Sequence, residues 1–138
     1  MSINTSYTKD LSIVVPIYNE EKGIPELVRR LSAAAASITE DYELIFVNDG
    51  SRDGSMELLR SLCKGDDRFF YINLSRNFGH QIAVSAGLDH VRGKATVIID
   101  GDLQDPPELI PELYAKYREG YEVVYAQRKM VASVPGPA

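Results

Sequence analysis

Five short apolar runs rich in β-branched and aromatic residues alternate along the chain with four stretches in which apolar residues recur every three or four positions. A chain patterned this way has few means of burying its apolar faces. The runs Leu11–Val15, Glu43–Val47, Phe69–Leu74, Thr96–Ile99 and Glu122–Ala126 predict strands. The stretches Gly23–Ala36, Ser55–Cys63, His80–His90 and Pro107–Glu119 predict helices. The first carries Leu27, Val28, Leu31 and Ala35 on one side, the second Met56, Leu59, Leu62 and Cys63, and the last Leu109, Ile110, Leu113 and Tyr117. Pro25 and Pro107 fall in first turns, where a missing N–H costs nothing. Strand and helix in repeated alternation predict an α/β fold, a mostly parallel sheet with helices on both faces.

Open α/β sheets bind ligands outside the carboxyl ends of their strands. The segments that follow the strands are Pro16–Glu21, Asn48–Asp53, Ser75–His80, Asp100–Asp105 and Gln127–Lys129. Polar and ionisable groups crowd this edge, whereas 38–41 and 64–67 at the opposite edge read as solvated connections. Within the rim, Asp100-Gly101-Asp102 directly follows the run Ala95–Ile99. Residues two apart in extended backbone point the same way, roughly 6–7 Å apart, so two carboxylates can face one hard cation with Gly101 leaving room between them. All-oxygen ligands of this kind favour Mg²⁺ or Mn²⁺ over zinc. Such a cation shares its shell with phosphates, which points to a nucleoside diphosphate.

Other chemistries lack their residues. Neither Gly-x-Gly-x-x-Gly nor a P-loop occurs, and there is no Gly-x-Ser-x-Gly elbow. His80 and His90 form no zinc cluster and read as surface groups. Ser51 and Asp53 read as helix caps, Arg76 as a loop cation or a ligand contact. A net charge of -5 without a basic stripe argues against a nucleic-acid partner. The one cysteine, Cys63, forms no internal disulfide and suits a reducing setting. No apolar run reaches the length of a membrane span.

The segments Ile13–Glu20, Phe46–Ser51, Ser75–Gly79, Ala86–His90 and Ile99–Glu108 together resemble, in order, the family 2 GT-A glycosyltransferases, and within them the polyprenyl-phosphate sugar transferases. The resemblance implies a GT-A, Rossmann-like sheet and inverting transfer of a sugar from a UDP- or GDP-linked donor to a polyprenyl phosphate, in cell-envelope or lipopolysaccharide biosynthesis. It implies that Pro16, Tyr18 and Glu20, with Val47 and Asp49, hold base and ribose. Asp100, Gly101 and Asp102 would meet diphosphate and metal, Gln104 would be a further metal ligand, and Arg128 would touch diphosphate or sugar. Asp102 and Arg128 would be the catalytic groups.

Members of the family continue with a second half that shapes the acceptor site and, in this branch, with membrane segments. The chain therefore reads as a fold truncated after its donor-binding half: a flexible start at 1–10, a nucleotide-sugar-binding domain at 11–129, and a disordered tail or truncation scar at 130–138. Two readings follow, the donor domain of a transferase and an isolated nucleotide-sugar-binding half-domain without turnover. A phosphoacceptor receiver domain is a weaker third, because its acids follow the first and third strands. The expected location is cytoplasmic for this chain and the cytoplasmic membrane face for a full-length parent, which would meet the membrane only through segments missing here.

Overall fold

The computed structural model describes residues 7–126 and 131–135, the last two strands by their backbone alone. The elements alternate as the periodicity predicts: β1 (Lys9–Ile17), α1 (Ile24–Ala36), β2 (Tyr42–Asn48), α2 (Ser55–Gly65), β3 (Phe69–Asn73), α3 (His80–Leu88), β4 (Gly93–Ile98), α4 (Ile110–Arg118), β5 (Tyr121–Ala126) and β6 (Val131–Pro135). The last predicted helix is split, with a 3₁₀ turn at Pro107–Leu109 before α4. Pro111, in the first turn of α4, has no N–H to give to the preceding turn, so the helix restarts there.

Strands β1 to β4 form one parallel sheet in the order β3-β2-β1-β4. Alternation along β1 sends Leu11, Ile13, Val15 and Ile17 to one face, where they join Leu27, Leu31, Leu59, Ile110 and Leu113 of α1, α2 and α4. Val14 points to the other face with Ile45 and Val47, under Ala83 of α3. Helices thus cover both faces, as expected. The fifth strand departs from expectation, because β5 pairs antiparallel with β6 in a separate two-stranded sheet. Antiparallel partners need only a short connection, and 131–135, expected from sequence to belong to a disordered tail or truncation scar, supplies that partner.

At the amino ends of the strands, the carboxylate of Glu43 is buried at 1% exposure. A buried charge must be paired. Its Oε2 accepts hydrogen bonds from the Ser12 hydroxyl at 2.6 Å and the Arg92 backbone N–H at 2.7 Å, and its Oε1 accepts from Arg92 Nε at 3.0 Å. Ser12 Oγ in turn accepts the Gly93 N–H at 2.8 Å. This network ties β1, β2 and β4 together at the edge away from the rim.

Candidate functional site

The chain runs outward from β1 through β2 to β3 and then crosses back to place β4 on the other side of β1. The order therefore reverses between β1 and β4, and a crevice opens there at the carboxyl ends. A cleft of about 310 Å³ occupies this position. Pro16, Tyr18 and Glu20 reach it from the end of β1, Asp49 from the end of β2, Asn77, Gly79 and His80 from the entry to α3, and Asp100, Gly101 and Asp102 from the end of β4.

Backbone pairing continues past β4 and sets the acidic tripeptide against β1. Ile99 donates its N–H to Val14 O at 3.0 Å, and Gly101 donates to Pro16 O at 3.2 Å. Gly101 is pressed inward: a Cβ there would lie 2.5 Å from Ile17 Cδ1 and 2.9 Å from Pro16 O. Both neighbouring carboxylates line the cleft. The chain then turns through Leu103 at φ 62°, a left-handed conformation that strains a non-glycine residue. Leu103 is held there by packing against the main core, and the turn brings the Gln104 N–H to Asp102 Oδ1 at 3.1 Å.

The loops after β1 and β2 brace each other. Asn19 N–H donates to Ser51 Oγ, Glu20 N–H to Ser55 Oγ and Glu21 N–H to Asp53 Oδ2, at 2.9, 2.9 and 3.1 Å. In return Arg52 N–H donates to Asn19 Oδ1 and Gly54 N–H to Glu21 Oε1, at 2.8 and 2.9 Å. Asp53, read from sequence as a cap, does meet the start of α2, its Oδ1 accepting the Ser55 N–H at 2.9 Å, while its Oδ2 joins the brace. Ser51 Oγ, also read as a cap, serves the brace, and Gly54 occupies the position before α2. Burial pulls the Asp53 carboxyl upward, but hydrogen bonds from Ser55 and Glu21 outweigh it and leave the group below its usual range.

Asp49 is 4% exposed and its carboxylate is engaged on both oxygens. Oδ1 accepts the Phe78 N–H at 2.8 Å, and Oδ2 accepts the Gly79 N–H at 3.1 Å and Asn77 Nδ2 at 3.3 Å. The entry to α3 is thereby fastened to β2. Gly79, at φ 107°, makes the turn that brings His80 to the cleft, a backbone conformation side chains rarely adopt. His80 Nε2 lies 2.6 Å from Asp100 Oδ1.

The cleft concentrates negative charge. Partial burial raises the Glu20 carboxyl above its usual range, and the charges of Asp102 and Asp53 push it further. Among the described residues, Asp100 Oδ2 and Asp102 Oδ2 carry no hydrogen bond, and no three His, Cys, Asp or Glu side chains converge to hold a metal unaided. These groups fit a hard divalent cation that takes part of its shell from the protein and the rest from a ligand's oxygens.

The sequence-derived residues Pro16, Tyr18, Glu20, Asp49, Asp100, Gly101 and Asp102 converge on one cleft. Val47 does not, being fully buried in the core beneath α3. The Gln104 side chain is exposed and outside the cleft lining, and Arg128 lies outside the described residues. The sequence reading missed Asn77, Gly79 and His80 as cleft residues. Their signal was position: they end the segment that follows the third strand.

The family described as Glycosyl transferase family 2 matches residues 12–137. A Bacillus subtilis protein named uncharacterized glycosyltransferase YkcC is 58% identical over 117 residues, 85% of this chain and 36% of the relative. The undecaprenyl-phosphate 4-deoxy-4-formamido-L-arabinose transferase of Shewanella sediminis is 46% identical over 120 residues, 86% of this chain and 36% of the relative. The chain spans about a third of the length of the curated relatives it matches. Among solved structures, the mannosyltransferase PcManGT from Pyrobaculum calidifontis, in complex with GDP-Man and Mn²⁺, superposes with a TM-score of 0.61 at 22% identity, over 73% of this chain and 30% of that one. The fold shared with it is GT-A. No helix among the described residues is long and apolar enough to cross a membrane.

Proposed function

The chain belongs to glycosyl transferase family 2, and from that membership we propose that the cleft between β1 and β4 binds a nucleoside-diphosphate sugar through Mg²⁺ or Mn²⁺, as the donor site of a transferase whose acceptor is a polyprenyl phosphate. The observation that carries the proposal is the convergence of Asp100, Gly101 and Asp102 on Pro16 and Tyr18 at the switch point of the sheet. The relative named for undecaprenyl-phosphate transfer and the neighbour holding GDP-Man with Mn²⁺ support it.

In this reading Tyr18, half-exposed at the mouth, offers a ring face to the base. Asp100 and Asp102 hold the cation with their open oxygens. When bound, the cation offsets the negative charge that grows on the leaving diphosphate as the anomeric bond breaks. Arg128 adds a positive charge to the same group. A lipid phosphate is already an anion at neutral pH, so attack on the anomeric carbon, with inversion, needs no general base in the chain.

A thermal-shift panel of UDP, GDP, CDP and their sugar conjugates, with Mn²⁺ and with EDTA, tests the proposal. One nucleoside diphosphate is expected to stabilise the protein only with metal, by about 2.7 kcal/mol at a hundred times its dissociation constant. Equal shifts in EDTA would overturn the metal-bridged site.

A further inference from the structure

We infer that His80 is a positioning residue for the cation site: its ring holds Asp100 so that the second carboxylate oxygen faces the cleft. The inference rests on the proposed donor site and adds a residue to it. His80 Nε2 lies 2.6 Å from Asp100 Oδ1, and because a carboxylate only accepts hydrogen bonds, the tautomer with the proton on Nε2 is the one that donates to Asp100. With Oδ1 held, Oδ2 is the oxygen left for a cation. Hydrogen-bonded carboxylates make oriented ligands, because the partner removes the rotational freedom a cation would otherwise have to freeze.

The placement of His80 is itself built. It stands on the first residue of α3, directly after Gly79 at φ 107°. The Asp49 carboxylate accepts both the Phe78 and Gly79 N–H groups just before it. A line of contacts therefore runs from the end of β2, through the 77–79 loop, to His80 and across to Asp100 at the end of β4. The ring remains 58% exposed, so its removal leaves no cavity in the core.

The test is nucleotide-dependent Mn²⁺ binding, read from the electron paramagnetic resonance signal of free Mn²⁺, on wild type, His80→Ala and His80→Gln with UDP and GDP. Glutamine sets an amide N–H about where the imidazole Nε2 sits. His80→Ala is expected to weaken Mn²⁺ binding about 10–100-fold, His80→Gln to recover it to within about threefold, and both to melt like wild type without ligand. Mn²⁺ binding by His80→Ala at wild-type affinity would overturn the inference and leave the donor site standing, as would a glutamine variant no better than alanine. Failure of wild type itself to take up Mn²⁺ with either nucleotide would overturn both.

Discussion

Replacing Gly101 by alanine is a direct probe of how the acidic tripeptide is seated. The added methyl would lie 2.5 Å from Ile17 Cδ1, about 1 Å inside ordinary carbon contact. It would also lie 2.9 Å from Pro16 O, which is backbone and cannot rotate away. Ile17 is fully buried, so relief requires moving the segment and weakening the Gly101 N–H bond to Pro16 O. Overpacking of this kind costs about 1–3 kcal/mol, and the hydrogen bond adds about 1 kcal/mol. Gly101 is not at positive φ, so no backbone strain contributes. A loss of about 2–4 kcal/mol lowers the melting temperature by roughly 8–16 °C in a domain of this size, and the displaced Asp100 and Asp102 lose the Mn²⁺-dependent response to nucleotide. Differential scanning fluorimetry with and without Mn²⁺ and nucleotide reads both effects, with Gly65→Ala as control because nothing lies within 4 Å of its added methyl. A Gly101→Ala variant that melts within 2 °C of wild type, as judged against an expected shift several times larger, and keeps the metal-dependent response would refute the argument.

Asp102→Asn removes a charge at an exposed rim position, so it is expected to melt like wild type without ligand while losing the Mn²⁺-dependent part of the nucleotide shift; an unfolded variant, seen by circular dichroism, would make the residue structural. Asp49→Ala strips the acceptor from the Phe78 and Gly79 N–H groups and is expected to cost about 2–3 kcal/mol and to reduce Mn²⁺ uptake, less than additively with His80→Ala; full additivity in a double-mutant cycle would break the link between them. Glu20 has a raised folded-state value, so the folded protein binds its proton more tightly than the unfolded one, and stability falls as pH rises from the ordinary carboxylate range through that raised value. Glu20→Gln is therefore expected to melt above wild type at pH 7 and level with it well below about pH 4, and the same difference at both pH values would contradict this.

The order of elements and the inward sides of the helices were legible because periods of two and of three to four residues report directly on burial. The rim was legible for the same reason, since knowing where strands end tells which segments share an edge. Contacts between rim loops were not. Asp53 has the chemistry of a helix cap and gives Oδ1 to the Ser55 N–H, but sequence alone does not say that its Oδ2 and Ser51 Oγ accept the N–H groups of Glu21 and Asn19 on another loop. His80 looked like a surface group and is exposed, yet strand order sets it beside Asp100, twenty positions away. Family resemblance implies a place for Val47 at the donor, while alternation along β2 turns its side chain into the core beneath α3. The partner of β5 was also illegible, because an apolar run of strand length fits either a parallel sheet or a hairpin.

The acidity of the cleft dictates how its ligands must cooperate. Partial burial raises the Glu20 carboxyl, and the charges of Asp102 and Asp53 add to it, so in the proposed donor site a diphosphate entering without a cation would add negative charge beside these carboxylates. A cation entering alone finds the open oxygens of Asp100 and Asp102 and no third carboxylate or imidazole poised to complete its shell among the described residues. Each ligand therefore supplies what the other lacks, the cation its charge and the diphosphate its oxygens. Such coupling is reciprocal by thermodynamic necessity: the factor by which Mn²⁺ tightens nucleotide binding equals the factor by which the nucleotide tightens Mn²⁺ binding. A hundredfold coupling corresponds to about 2.7 kcal/mol, shared between the ligands and belonging to neither. If the cleft is the proposed donor site, it would stay nearly empty until both are present, which would tie occupancy by the cation to the arrival of the donor.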